Sequence, residues 1–247
     1  MNENNIDVSI IITSYNYENY IEQAIKSCFS QNSSNLKYEV IIVDDGSTDN
    51  SKFYIQNLNN CLLKKFFIRN SGIEFASNYG FKKSKGKYVV RLDADDYLEK
   101  NYLSSISKFI NEDFDFFYSN YFVIDENSKV LNKIDLPPFS LEEVKGRGDF
   151  LASGTIYRKN KIRELGYYNQ KFKNCGLENY ELILKLILSG FKGLHIPKHL
   201  FNYRIHGENL SNKRKEDIIR YGRNLFSRFD LGDYKTNQNH PYKLNLD

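Results

Sequence analysis

Four short, largely apolar runs punctuate the first hundred residues, at 8–12, 38–43, 65–68 and 88–92, and between them apolar residues recur at helical spacing. The runs are too short for helices and show no alternating polar face, which is the pattern of strands buried on both faces of a parallel sheet. Over 18–30, Tyr20, Ile21, Ala24, Ile25 and Cys28 share one helical face until the polar stretch 31–35 ends it. A second helix is predicted from Thr48 or Asp49, either a suitable N-cap, and a third over 72–85. The order β-α-β-α-β-α-β predicts a parallel sheet clothed in helices.

The second half is less regular. A helix is predicted over 98–110, then an aromatic strand over 114–124 that pairs with 130–134 across the turn-like 125–129. Residues 136–148, opening Leu136-Pro137-Pro138, read as a long loop, and 176–189 as a helix ended by Gly190. One more amphipathic helix starts at Lys213, and a polar tail, 235–247, is expected to be poorly ordered. The simplest organisation is one compact domain with a C-terminal elaboration.

Composition narrows the functional classes. With 40% hydrophobic and 15% aromatic residues the chain is a globular folder, and 35 basic against 31 acidic residues, a net +4, is too even to make nucleic acid a partner. Cys28, Cys61 and Cys175 are far apart and form no Cys-x-x-Cys pair, so neither a disulfide framework nor a zinc site is indicated and a reducing, cytoplasmic compartment fits. The polar start lacks a signal-peptide pattern, and no apolar run nears the roughly 20 residues that span a bilayer. Any membrane contact is expected to be peripheral, and oligomeric state leaves no signal.

The chemistry lies where apolar runs stop. The second ends in Asp44-Asp45-Gly46-Ser47 and the fourth in Asp93-Ala94-Asp95-Asp96. Carboxylates at the C-terminal ends of parallel strands face the crevice in which open α/β sheets bind ligands, and Asp-x-Asp suits a hard divalent cation. Alone, the first cluster reads as a tight turn, and the second is equally a solvated loop with Asp96 capping the next helix. The first strand ends in Thr13-Ser14-Tyr15-Asn16 beside the first cluster, a setting in which a base stacks on Tyr15 and an imide N–H meets Asp44 or Asp45. A buried carboxylate so paired rejects bases lacking that donor.

Four segments in register carry a resemblance: Val8 to Tyr17, Asp44-Asp45-Gly46-Ser47, Asn70-Ser71-Gly72 with Ala76-Ser77-Asn78-Tyr79-Gly80, and Asp93-Ala94-Asp95-Asp96. In order and spacing they resemble the motifs of the family 2 glycosyltransferases of GT-A fold, over about the first hundred residues and more loosely to His206. The resemblance implies an α/β, Rossmann-like, mostly parallel central sheet with helices on both faces and a smaller C-terminal elaboration. Residues 1–110 would be the nucleotide-sugar-binding half, 111–212 the acceptor-side half, and 213–247 a C-terminal helix and tail. It further implies inverting transfer of a sugar from a nucleoside diphosphate donor, foremost a UDP-sugar, to a glycan or glycolipid acceptor in surface polysaccharide synthesis, at the inner face of the membrane where that acceptor is lipid-linked. Thr13, Tyr15, Asp44 and Asp45 would hold base and ribose, with Asn70, Gly72, Asn78 and Ala94 also in the donor site. Asp93 would touch ribose and, with Asp95 and His206, Mn2+ or Mg2+. Arg204, Lys213 and Arg214 would bind diphosphate or face water, and Gly154 and Thr155 would sit in the acceptor-side loop.

The catalytic base departs from the family pattern. An acidic pair is expected at Glu178-Asn179, with the second member as base, and an amide cannot accept a proton at neutral pH. Glu178 is the favoured carboxylate and Glu181, three residues on, a second candidate on the same helical face. The alternative is a catalytically weak or inactive nucleotide-sugar-binding member. A nucleotidyltransferase would need a Gly-rich, basic segment after strand one, which is absent, and a phosphatase using Asp93 would leave Asp44 and Asp45 unexplained.

Overall fold

The structure is a computed structural model that describes residues 5–151, 153–207, 209, 214–241, 244 and 246. Its first half follows the predicted alternation. Strands β1 (Val8–Ser14), β2 (Tyr38–Asp44), β3 (Leu63–Phe67) and β4 (Tyr88–Asp93) pair in parallel in the order β3-β2-β1-β4. Helices α1 (Ile21–Phe29), α2 (Ser51–Asn57) and α3 (Ile73–Lys83) make the crossovers. Every residue of β1 is buried, and each Val or Ile so placed contributes about 1.5–3 kcal/mol. Gly80 lets α3 lie against the sheet, since a Cβ there would come within 2.4 Å of Ile11.

Beyond β4 the sheet turns mixed. In chain order come β5 (Tyr97–Leu98), α4 (Tyr102–Ile106), β6 (Phe116–Ile124), β7 (Val130–Ile134), α5 (Leu141–Arg147), β8 (Ile156–Arg158), α6 (Lys159–Glu164), α7 (Glu178–Leu188), β9 (Gly193–Arg204) and α8 (Lys215–Arg228). The described strands form one sheet, ordered β3-β2-β1-β4-β8-β6-β9-β5, with β7 hairpinned onto β6 as its pattern predicted. β8 is antiparallel to both β4 and β6, whereas β9 runs parallel to β6. The last strand therefore returns its C-terminal end to the same edge of the sheet as that of β4.

Several expectations change. The helix read over 98–110 shrinks to α4, because Tyr97 and Leu98 are drawn into antiparallel pairing with Phe201 and Asn202. The loop over 136–148 contains α5, whose N-cap Ser140 accepts from the Glu143 N–H at 3.2 Å; Ser-x-x-Glu follows the two prolines that suggested a loop. α2 is capped at Asn50 rather than at Thr48 or Asp49, although the Asp49 carboxylate still receives Ser51 N–H at 3.0 Å. β9 has no clear period because Pro197 falls within it, where the register against β6 shifts. The start expected at Lys213 lies outside the described residues, and α8 begins two residues later.

The tail was expected to be poorly ordered, yet its described residues pack onto the domain. Asn237 N–H donates to Gly146 O at 2.8 Å, Thr236 pairs with Leu246, and His240 is 2% exposed. Tyr234, His240 and Leu244, spaced among polar neighbours, supply the buried anchors that average composition hides. Among the described residues no helix is long and apolar enough to cross a membrane, and the three cysteines are free thiols.

Burial pushes the His240 imidazole down from 6.5 to about 4, so the unfolded chain binds a proton that the folded chain refuses between those values. The contribution is intact above pH 6.5, is lost as pH falls from 6.5 toward 4, and levels off below, with an amplitude of about 3 kcal/mol at most. Urea midpoints across that window should fall less steeply for His240→Gln than for the unmodified chain; parallel slopes would show that the tail does not bury this group.

Candidate active site

The C-terminal ends of β1, β2 and β4 open onto two adjoining cavities that share Thr13, Tyr17 and Ile73 in their walls. The larger, about 360 Å³, is also lined by Tyr15, Asp45 and Asn70. The turn after β2 builds it: Gly46 takes φ +78°, and a Cβ there would lie 2.8 Å from the Asn70 nitrogen, so this close approach needs glycine. Asp45 then reaches across, and its two oxygens accept Ser71 N–H at 2.7 Å and Gly72 N–H at 2.8 Å. Burial raises the Asp45 pKa, against the pull of those two amides.

Asp44 and Asp45 thus separate. Asp45 lines the cavity, while Asp44 is fully buried and accepts Ser47 N–H at 3.1 Å, capping the turn. Tyr15, 45% exposed, stands at the cavity wall. Asn78 was expected in the donor site but binds the backbone of Tyr168 through both ends of its amide, at 2.8 and 3.0 Å, and lines neither cavity. Asn70 accepts from Lys173 Nζ at 2.6 Å, and Arg214 lines the same cavity while donating to Asn174 O.

The smaller cavity, about 120 Å³, holds the Asp-x-Asp loop and the start of α7. Its centre is Arg91, a buried arginine in the middle of β4. Arg91 Nε and Nη2 meet Asp93 Oδ1 and Oδ2 at 3.0 and 3.1 Å, and Nη1 meets Glu178 Oε1 at 3.0 Å. Burial pushes Asp93 up to about 6, against Arg91, with Asp95 and Glu178 adding to the rise. Asp95 Oδ2 faces His206 Nε2 at 2.9 Å, and Tyr20 packs over the His206 ring at 5.0 Å between centroids. A carboxylate and an imidazole so close together suit a cation such as Mn2+ or Mg2+, with remaining positions left for substrate oxygens. Ala94 is wholly buried and lines neither cavity, so its side chain has no place in the donor site.

Arg204 was expected to bind diphosphate or face water and does neither. It is 1% exposed and donates to Asp95 O, Asp125 O, Glu126 O, Ser128 Oγ and Gln23 Oε1 between 2.6 and 3.1 Å. Its own N–H holds Asp96 Oδ1 at 2.9 Å, so Asp96 ties β9 to the acid loop instead of capping a helix. Burial, with Asp95 and Asp93 nearby, raises the Asp96 pKa. Lys213 lies outside the described residues. Gly154 and Thr155 are buried beside the cavity rather than on it; Ser153 lines it, and its Oγ accepts from Asp93 N–H at 3.0 Å.

At α7, Glu178 and Asn179 both line the smaller cavity, and Asn179 Oδ1 accepts from Tyr168 Oη at 2.7 Å. Glu181 does not line it. Turned toward α8, it receives Tyr221 Oη, Lys185, Arg228 and Asn169. Burial works to raise its pKa, but Tyr221 and Lys185 hold it below the ordinary value, and this clamp between helices removes it from the candidate bases. Glu74, Cys175 and Glu178 also offer donor atoms within 4.8 Å of one another, although both Glu74 oxygens already accept N–H groups of Asn174 and Cys175. Sequence reasoning passed over Arg91, Asp149, Ser153 and Tyr168. For Arg91 a signal existed, a charge set inside a strand run.

The family model described as Glycosyl transferase family 2 matches residues 9–174. The hyaluronan synthase of Pasteurella multocida is 34% identical over 218 residues, covering 84% of this chain and 21% of that protein, so the chain spans about a fifth of this relative's length. The Escherichia coli UDP-Glc:alpha-D-GlcNAc-diphosphoundecaprenol beta-1,3-glucosyltransferase WfaP is 29% identical over 217 residues, 86% of this chain and 83% of that enzyme. Among solved structures, S. aureus TarS 1-349 in complex with UDP-GlcNAc matches with a TM-score of 0.74 at 21% identity, over 92% of this chain and 67% of that one, a likeness of fold.

Arg204→Met would leave five acceptors without their donor, the Asp95 carbonyl buried and the other four partly so. We expect a loss of about 3–5 kcal/mol in urea unfolding. A loss below about 1 kcal/mol would show that the acid loop holds itself.

Proposed function

The chain belongs to the family 2 glycosyltransferases and has their GT-A fold, and on that footing we propose that it moves a sugar, with inversion, from a UDP-sugar to an acceptor hydroxyl. One observation carries the reading: a cavity walled by Tyr15 and Asp45 adjoins one holding Asp93, Asp95 and Glu178, matching base and ribose on one side and diphosphate and sugar on the other. Tyr15 offers its ring to the base. Asp45 retains lone pairs beyond those given to Ser71 and Gly72, and a uracil imide N–H fits them. Asp93, held by Arg91, presents its carboxylate to ribose hydroxyls. Thr13 and Tyr17, in both walls, bound the passage between the two cavities.

Asp95 and His206 are the pair that would hold Mn2+ or Mg2+, and Asp93, with both oxygens on Arg91, stands behind them. The cation would stabilise negative charge on the departing diphosphate as a Lewis acid. The chain's own contribution is to fix the donor by Tyr15, Asp45 and Asp93, and to give the acceptor a wall that includes Tyr121 and Tyr203 against which a sugar ring packs. A carboxylate on that wall takes the acceptor proton as the anomeric carbon is attacked from the side opposite the diphosphate. The names of its relatives favour a growing surface polysaccharide or a lipid-linked glycan as acceptor, with the chain acting in the cytoplasm at the membrane's inner face. Free thiols accord with that compartment.

Asn179 favours a second reading, a nucleotide-sugar binder without turnover. UDP release from UDP-glucose and UDP-N-acetylglucosamine with Mn2+ separates the two. For the cation, calorimetry with UDP should show Asp95→Ala weakening Mn2+-dependent binding on the order of tenfold or more. Equal affinity with and without EDTA in the unmodified chain would remove the metal from the mechanism.

A further inference from the structure

The strap 172–176 stands between three cavities: Asn174 lines that of Tyr15 and Asp45, Gly176 that of Asp93 and Glu178, and Cys175 a third, of about 430 Å³. No step of the transfer described above uses the third. Among the described residues its walls share Arg214 with the first cavity and nothing with the second.

Two rings give the third cavity an apolar side. Phe172 and Tyr221 meet at 4.8 Å between centroids, their planes 57° apart. Tyr221 is buried, and its hydroxyl is already given to Glu181. Phe172 is 43% exposed and stands between the exposed Lys171 and Lys173. The C–H face of a sugar ring is apolar, and packing it on such a phenyl ring removes both from water.

The rest of the lining is polar and mostly cationic. Lys173, Arg214 and Arg220 face a single carboxylate, Asp217. Arg220 Nη2 meets Asp217 Oδ1 at 2.6 Å, an exposed pair that water screens. The other two cations are held by neutral oxygens: Lys173 Nζ donates to Asn70 O and Oδ1 at 3.2 and 2.6 Å, and Arg214 Nη1 to Asn174 O at 2.8 Å. Among the described residues neither joins an ion pair, so the cavity keeps a surplus of positive charge while its cations stay fixed in place. Asp217 and the Asn224 amide add groups that bond hydroxyls.

An apolar ring face, hydroxyl partners and unneutralised cations together describe an acidic sugar. Resting on the transferase reading above, we propose that the third cavity is an acceptor subsite for a saccharide unit bearing a carboxylate or phosphate, removed from the end that receives the new sugar. Its place fits that task. Cys175 and Gly176 are successive in the chain yet line different cavities, so a unit seated in the third lies close to the transfer site without entering it. A growing glycan whose end occupies the transfer site would lay a neighbouring segment across the strap, and Phe172, Arg214 and Arg220 would hold it there.

The test is calorimetry on the full chain with Mn2+ and saturating UDP, which fills the nucleotide cavity first. The probes are tetragalacturonate, a tetrasaccharide of alternating glucuronate and N-acetylglucosamine, and a maltotetraose phosphorylated on one sugar; plain maltotetraose is the neutral control. At least one acidic probe should bind about tenfold or more tightly than the control. Arg220→Glu and Phe172→Ala should each weaken that probe about fivefold or more, with UDP affinity within about twofold of the unmodified chain. Arg163→Glu makes the same change of charge on the exposed part of α6, outside the lining, and should leave the probe's affinity within about twofold. Should Arg220→Glu not fold, Arg220→Gln is the second variant, expected to weaken the probe about threefold. Equal affinity for acidic and neutral probes overturns the proposal, as does unchanged affinity in both cavity variants, an equal loss in Arg163→Glu, or acidic binding seen only without UDP. A chain that does not bind UDP overturns the transferase reading instead, and the UDP titration registers that failure before any saccharide is added.

Discussion

Two buried guanidinium groups make the acid loop possible. Asp93, Asp95, Asp96 and Glu178 crowd a space largely closed to water, where like charges destabilise the fold unless positive charge or hydrogen bonds offset them. Arg91 answers from within β4, taking Asp93 and Glu178 on one fork. Arg204 answers from the end of β9, binding the Asp95 carbonyl, receiving Tyr20 and Tyr97 against its plane, and lending its backbone N–H to Asp96. Arginine suits both places because its planar fork stays charged and meets several acceptors at once. Lysine would supply the charge but not the geometry.

This arrangement explains the route of the second half of the chain. A parallel four-strand unit could place Asp45 and Asp93 alone, since both sit at strand ends. It could not close the far side of the acid loop. β9, parallel to β6, delivers Arg204 and then His206 to that side, and Asn209 locks the turn through His206 N–H and Arg204 O. The donor cavity is closed in a comparable way, because Glu74 at the start of α3 holds the Asn174 and Cys175 N–H groups just before α7. The start of α3 and the approach to α7 thus share one anchor, and a shift of either would be felt by the other.

Legibility follows the same division. β1 to β4, α1 and α3 were readable because their side chains face a continuous core, where periodicity and burial agree. The acid clusters were readable because strand ends in such sheets face ligand. β8 and β9 were not, being short or broken by Pro197 and stabilised by partners distant in sequence. The carboxylates of α7 show the limit of pattern most clearly. Glu178 and Glu181 share a helical face by spacing, yet one meets Arg91 in the cavity and the other is turned onto Tyr221 and Arg228 of α8, a neighbour that helical spacing alone does not reveal.

What each carboxylate of α7 meets is therefore decided by its packed neighbours rather than by motif position. In this cavity Arg91 holds Glu178 and Tyr168 directs the Asn179 amide, while the α5–β8 connection brings Asp149 to the same wall. That connection is shaped by Gly148 and backed by His240, and Pro241 lines the same cavity, which makes the C-terminal segment part of the cavity's surroundings rather than an appendage to the fold. The two cavities then rest on different parts of the chain. Strand ends of a parallel sheet form one wall, and a turn held between helix α5 and the tail forms another, so the second can change without disturbing the first.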